Sequence, residues 1–285
     1  MTADARPRPR SFVGRDGILL AADEWGEASS TPLVLLHGGG QTRRAWGRTG
    51  PRLAGLGWRV IVPDLRGHGT SQWSADGDYD VDLFAEDVRA VAADLDDRPV
   101  LIGASLGGLS SLLAAGEAPR AAVRALVLVD VAHRPDPRGV RRIMEFMRRR
   151  PDGFASVEEA AATVAAYLPH RPRPDDLEGL RHNLRRCGDR WIWHWDPRML
   201  DSLEGRVDPP GMAERLLDAA RRADAPILLV RGVLSDVVRE DVAEQFCDGV
   251  PHARRVDVAD AGHMVAGDRN EHFIDAVVPF LEGIQ

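Results

Sequence analysis

The chain has 285 residues, of which 44% are hydrophobic and 28% charged, with a net charge of −7. That length suits one large α/β domain with room for an insertion, and mild acidity argues against a nucleic-acid partner. All 37 basic residues are arginine, which excludes a Walker P-loop lysine, a Schiff-base lysine and a Ser-Lys dyad together.

Residues 1–10 are polar and rich in Pro and Arg, and read as a frayed tail without the apolar stretch of a signal peptide. Residues 11–25 alternate weakly around Gly14 and Gly17 and predict an antiparallel hairpin at a sheet edge. The run 32–36 is continuously apolar and ends in His37-Gly38-Gly39-Gly40. Such runs suit parallel strands buried on both faces. The pattern repeats near 58–62, 100–102, 125–129, 226–230 and 254–258, with a helical period over 81–95 between two of the early strands. Alternating strands and helices predict an α/β protein: a mostly parallel, doubly wound sheet of about eight strands.

The run at 100–102 leads into Gly103-Ala104-Ser105-Leu106-Gly107-Gly108, a G-x-S-x-G turn between strand and helix. Glycines two residues to either side of Ser105 leave room for strand and helix to cross beneath an exposed hydroxyl. The alternation then stops between about 134 and 222, where no strand is expected. Helical patterns cover 139–150, with Val140, Ile143, Met144, Phe146 and Met147 on one stripe, then 156–168, 176–186 and 213–222. Ser156 and Glu159 have capping-box spacing. The organisation expected is an α/β core in two parts, 1–133 and 223–285, interrupted by a helical lid over 134–222. Trp191, Trp193 and Trp195 fall at spacing two in an extended segment. They serve either to pack the lid on the core or to wall an apolar pocket.

A serine needs a base, and the base needs an acid to orient it. Asp236 follows the apolar run 226–230, and His263 follows 254–258, so Ser, Asp and His fall at three strand ends, the edge where open α/β sheets bind ligands. Asp130, after 125–129, is the alternative acid. Asp236 is preferred because its strand comes next before the histidine's and Gly232 lets its turn fold inward.

These residues, with the block Pro63-Asp64-Leu65-Arg66-Gly67-His68-Gly69-Thr70-Ser71 and Gly262-His263, make the chain resemble the α/β-hydrolase family. It is most similar to the branch of haloperoxidase-like esterases, epoxide hydrolases and C–C bond hydrolases. The resemblance runs from residue 33 to 264. It implies an oxyanion hole formed by the backbone N–H groups of Gly39 and Leu106. Epoxide hydrolases and haloalkane dehalogenases of this branch carry Asp where this chain has Ser105, which disfavours both activities. The His-Gly-Gly-Gly run is similar to lipase loops, but lipases of that group place their lid earlier in the chain.

The expectation is a serine hydrolase that cleaves a carboxylic ester or related acyl bond of a small, mostly apolar molecule through an acyl-enzyme. C–C bond hydrolysis or cofactor-free oxygen or peroxide chemistry uses the same triad, and a non-catalytic small-molecule receptor is the alternative of another class. Candidate pocket residues are His37, Met144, Met147, Trp191, Trp193 and Trp195, with His37 also placed to brace the glycine loop. The remaining histidines, His133, His170, His182, His194, His252 and His272, show no metal-ligand spacing, so no metal and no cofactor are expected. The isolated Cys187 and Cys247 suit a reducing, cytoplasmic setting. No run approaches the roughly 18 apolar residues of a membrane span. The sequence leaves the oligomeric state open.

Overall fold

The computed structural model describes residues 6–118, 123–168, 177–203 and 210–284. His170 and Asp176, which belong to the expectations above, lie outside the described residues. The strands are β1 (Arg8–Val13), β2 (Leu19–Trp25), β3 (Pro32–Leu36), β4 (Arg59–Pro63), β5 (Val100–Ala104), β6 (Ala125–Val129), β7 (Leu184–Cys187), β8 (Arg190–Trp193), β9 (Ile227–Gly232) and β10 (Ala253–Val258). The helices are α1 (Thr49–Ala54), α2 (Val81–Ala93), α3 (Leu106–Gly116), α4 (Pro137–Met147), α5 (Val157–Tyr167), α6 (Glu178–Arg181), α7 (Arg198–Leu203), α8 (Met212–Arg222), α9 (Glu240–Gly249), α10 (Val265–Asp268) and α11 (Asn270–Glu282).

Eight strands form one sheet in the order β1-β2-β4-β3-β5-β6-β9-β10. β1–β2 and β2–β4 pair antiparallel, and every later pairing is parallel. The reason the apolar runs are continuous is visible in their alternation. Val34, Leu36, Leu101, Leu126 and Leu128 pack into one core, while Leu33, Leu35, Val100, Ile102, Val127 and Val129 pack into the other. One face is covered by α2, α3, α8 and α9 through Phe84, Leu113, Ala219 and Phe246. The other is covered by α1 and α11 through Leu53, Phe273 and Val277. Each Leu, Val or Phe side chain taken fully out of water contributes roughly 1.5–3 kcal/mol, so covering both faces rewards the continuous apolar runs.

From β3 the chain moves to β4 on one side, and then to β5 on the other. The strand order therefore reverses beside β5, the position where open α/β sheets form their ligand crevice, and Ser105 follows β5 directly.

Two expectations for the stretch between β6 and β9 need correction. First, it contains strands: β7 and β8 pair antiparallel as a separate two-stranded sheet, with Leu184 opposite Trp193 and Cys187 opposite Arg190. The helical pattern expected to 186 stops at α6, because Leu184 is drawn into a small core with Phe154, Val157 and Ala160. Second, α8 lies on the main core. A Cβ at Gly116 of α3 would sit 2.0 Å from the carbonyl of Ala219, so the two backbones touch. The other helices form where expected. Asp136 caps α4 through the N–H of Arg138 at 2.8 Å, ahead of Pro137. Ser156 caps α5 through Glu159 N–H at 3.2 Å, and the Glu159 carboxylate returns to Ala155 N–H at 2.7 Å.

Candidate active site

Ser105 sits at φ 47° and ψ −114° between β5 and α3, a conformation that costs an L-residue energy and persists only where its surroundings enforce it. The enforcement is steric. A Cβ at Gly103 would lie 2.4 Å from the Gly107 carbonyl oxygen, and one at Gly107 would lie 2.5 Å from that of Leu36. Strand, turn and helix are in backbone contact, and the Ser105 N–H donates to Val129 O at 3.2 Å. That bond ties the serine turn to the end of β6, the position immediately before Asp130.

Asp130 is also at positive φ, 49°. Its side chain has no solvent exposure, and its carboxylate accepts three hydrogen bonds. Oδ1 accepts from Gly232 N–H at 3.0 Å, while Oδ2 accepts from Ser235 Oγ at 2.5 Å and from His263 Nδ1 at 2.8 Å. With Nδ1–H directed at a carboxylate, the ring's tautomer leaves Nε2 with its lone pair free.

His263 thus has a different carboxylate from the one expected. Asp236 turns away and pairs with Arg142 of α4 at 3.0 Å, with its side chain 39% exposed. The physical reason lies in the turn after β9. Ser235 Oγ accepts the N–H groups of Val237 and Val238 at 3.0 and 3.1 Å, which points residue 235 at Asp130, while its neighbour Asp236 reaches outward to Arg142. Gly232 matters for close approach: a Cβ there would lie 2.3 Å from Gly262 O.

On the other flank of Ser105 lies the loop after β3. A Cβ at Gly38 would be 3.5 Å from Ser105 Cβ, and one at Gly39 would be 3.8 Å from the Leu106 side chain. Gly38 N–H donates to Gln41 Oε1 at 3.0 Å and Gly40 N–H to His68 Nε2 at 3.1 Å. Among the described residues the N–H groups of Gly39 and Leu106 have no acceptor. Two backbone donors beside one serine are thus unspent on the fold.

His37 and His68 are fully buried, with ring centroids 5.0 Å apart. His37 Nδ1 meets Gly38 O at 2.8 Å, and its Nε2 accepts Leu65 N–H at 3.0 Å. His68 Nδ1 meets Arg66 O at 2.9 Å. Burial pushes the His37 imidazole below its ordinary value and takes that of His68 down to about 3, with the neighbouring His37 adding to the shift. Both are neutral braces of the glycine loop. Since both His37 nitrogens are engaged, it offers no polar group to a pocket.

The loop carrying His68 is organised by Asp64, which is fully buried and accepts Arg43 N–H at 2.6 Å and Thr70 N–H at 2.9 Å, besides an ion pair with the Arg43 guanidinium.

The segment between β6 and β9 reaches both flanks. A Cβ at Gly139, near the start of α4, would lie 2.3 Å from Asp236 O; one at Gly40 would lie 2.9 Å from Met147 Cε, at the helix's other end. α4 therefore runs from the turn after β9 to the glycine loop. Its eleven residues span about 16 Å at 1.5 Å per residue. A Cβ at Gly40 would also be 3.5 Å from the Trp195 ring, which stacks on Trp193 at 4.9 Å. Phe146 continues this file between Trp193 and Tyr167, at 5.9 and 4.2 Å. Trp191 is placed differently, under the guanidinium groups of Arg181 and Arg186 and paired through its backbone with Phe154. Met144 is buried on α4.

A separate cleft of about 260 Å³ is lined by Gly69, Trp73, Arg185 and His194 and shares no lining residue with Ser105, Asp130 or His263. Among the described residues no group of three or more His, Cys, Asp or Glu could hold a metal ion, and no helix is long and apolar enough to cross a membrane.

The sheet order, the strained serine after β5 and the histidine after β10 define an α/β-hydrolase architecture. The profile of the alpha/beta hydrolase fold matches residues 31–269, and the chain belongs to that family. It is 32% identical over 276 residues to the esterase Rv0045c of Mycobacterium tuberculosis, covering 92% of this chain and 86% of that one. It is 31% identical over 257 residues to the 3-hydroxybutyrate-oligomer hydrolase of Cupriavidus necator, covering 86% of each. The crystal structure of an α/β hydrolase from Novosphingobium aromaticivorans superposes with a TM-score of 0.84 at 28% identity, covering 98% of this chain and 99% of that one.

Proposed function

We propose that the protein is a serine hydrolase of carboxylic esters with the triad Ser105, His263 and Asp130. The observation that carries this reading is the 2.8 Å bond from His263 Nδ1 to buried Asp130, whose strand end adjoins the strained Ser105 turn. Ser105 Oγ attacks the ester carbonyl as His263 Nε2 takes its proton. Asp130 holds the tautomer and stabilises the imidazolium. The Gly39 and Leu106 N–H groups receive the oxyanion, each worth about 10²–10³ in rate. His263 then gives its proton to the departing alkoxide, and water, deprotonated by the same nitrogen, frees the acyl-enzyme.

No hydrogen bond to Ser105 Oγ is present among the described residues; such contacts commonly tighten only when substrate binds. An ester is favoured over an amide because an alkoxide departs with less protonation, and relatives named esterase and hydroxybutyrate-oligomer hydrolase support it.

In this reading the segment between β6 and α8 acts as the lid, with α4 as its beam across the site. Met147 and Trp195, against the glycine loop, wall an apolar acyl pocket, with Trp193 behind them. Trp191 packs the lid. The two free thiols, exposed Cys187 and half-buried Cys247, support a reducing, cytoplasmic setting as part of this proposal.

A fluorophosphonate probe, with the modified peptide identified by mass, tests the nucleophile. Labelling at Ser105, and a loss of roughly 10³–10⁶ in turnover for folded Ser105→Ala, are expected. Near-normal ester turnover by that variant would rule the serine out.

A further inference from the structure

The turn after β9 holds a hydroxyl that the triad reading has not used. Ser235 Oγ accepts two backbone N–H groups, from Val237 at 3.0 Å and Val238 at 3.1 Å. A hydroxyl has two lone-pair sites and one proton. Its acceptor capacity being filled by the turn, the proton is directed outward, and it goes to Asp130 Oδ2 at 2.5 Å. The same oxygen accepts His263 Nδ1–H.

We propose that Ser235 is a positioning residue of the catalytic centre. Its hydroxyl shares Asp130 Oδ2 with His263, and so sets the direction and the strength of the histidine–carboxylate bond. The proposal rests on the reading of Ser105, His263 and Asp130 as the triad. Gly232 N–H on Oδ1 and Ser235 on Oδ2 fix the carboxylate plane from two sides. A donor on Oδ2 also draws charge from the oxygen facing the imidazole. Ser235 therefore trades some strength of that bond for a fixed geometry.

The turn itself does not depend on the hydroxyl alone. Val233 N–H reaches Val258 O at 3.0 Å, Leu234 N–H reaches Ala261 O at 2.9 Å, and Asp136 N–H reaches Val237 O at 2.7 Å. Arg231, nearly buried, donates Nε to Val238 O at 2.9 Å. Val237 and Val238 are buried beneath it. Removing one oxygen leaves these anchors in place.

The test compares Ser235→Ala, Ser235→Cys and Ser235→Thr with wild type on one ester, together with the low-field proton resonance of His263 Nδ1–H. Ser235→Ala should lower kcat by about ten- to a hundred-fold, the weight of one hydrogen bond to a charged group, and leave KM nearly unchanged. Its resonance should move further downfield as Oδ2 loses its second donor. Ser235→Cys, with a weaker donor of similar shape, should move both readouts in the same direction by less. Ser235→Thr keeps the hydroxyl and should restore both.

Unchanged kcat and an unchanged resonance in the folded Ala or Cys variant would overturn the proposal. So would a loss in Ser235→Ala that Ser235→Thr fails to restore. Ser105→Ala run alongside separates the two claims. The resonance reports the shared carboxylate oxygen whether or not Ser105 is the nucleophile.

Discussion

The two flanks of Ser105 meet opposite electrostatic demands. On one, three donors converge on the buried carboxylate of Asp130, and one of them is the imidazole of His263. On the other, the buried imidazoles of His37 and His68 are kept neutral and hold a glycine loop by its backbone. In the proposed mechanism the first flank suits a cation that forms on the base during turnover. The second suits an anion that forms on the substrate, met by backbone dipoles already in place. The difference shows that burial alone does not define a site: the same desolvation is matched by donors around a carboxylate and answered by loss of charge in an imidazole.

The largest stability effect expected lies on the acid flank. Gly232→Ala puts a Cβ 2.3 Å from Gly262 O and 2.6 Å from Ala261 O, both backbone. Overpacking of this kind costs about 1–3 kcal/mol or more. It must also move the turn that positions Ser235 against Asp130, so denaturant unfolding and ester turnover should fall together. A variant with full stability and activity would break the account of that flank.

The neutral flank should reveal itself in acid. His68 titrates near 6.5 when unfolded and at about 3 when folded. The unfolded chain therefore binds the extra proton across that window. Stability is complete above the unfolded value and is lost as pH falls, by up to about 1.4 kcal/mol per pH unit. His37 acts in the same direction. Unfolding measured at several pH values between 7 and 4 should show a shallower slope in His68→Gln than in wild type. Equal slopes would contradict a neutral His68.

The smallest effect belongs to Asp236 and Arg142, outside both flanks. The two side chains are 39% and 50% exposed, and pairs of that kind are worth about 0–1 kcal/mol. Asp236→Ala should shift the unfolding free energy within that range, because solvent replaces the carboxylate and Arg142 keeps its place over the Tyr167 ring, 5.2 Å from its centroid. A larger loss would mean that the pair holds α4 down across the site.

The core and the elbow are legible in the sequence because local chemistry decides them. Continuous apolar runs need two covered faces, and both were found. Gly103 and Gly107 announce backbone contact, and the contact exists. His263 follows β10 as expected. The acid was not legible as a choice. Asp130 and Asp236 both follow strands on the same sheet edge, and proximity in sequence favoured Asp236. The positive φ of Asp130 and the orientation of Ser235 bring Asp130, and not Asp236, to His263, and neither has a side-chain signature. One signal was available: in Leu234-Ser235-Asp236 a hydroxyl precedes the carboxylate, so only one of the two neighbours can face inward. Of the β7–β8 hairpin, the spacing of Trp191, Trp193 and Trp195 shows the extended β8 side, while Arg185 and Arg186 mask β7, whose Leu184 answers to the small core around Phe154. α8 was assigned to the lid by its position in the chain, while its contact with Gly116 is a matter of three dimensions.

The central claim is that Asp130 orients the histidine that activates Ser105. Turnover of Asp130→Asn and Asp236→Asn on one ester at one pH, with folding of each confirmed, tests it most directly. Asp130→Asn should lose on the order of 10⁴ in kcat, the effect of leaving the base in the wrong tautomer, while Asp236→Asn stays close to wild type. The reverse ranking in folded proteins would contradict the account and return the acid to the turn after β9.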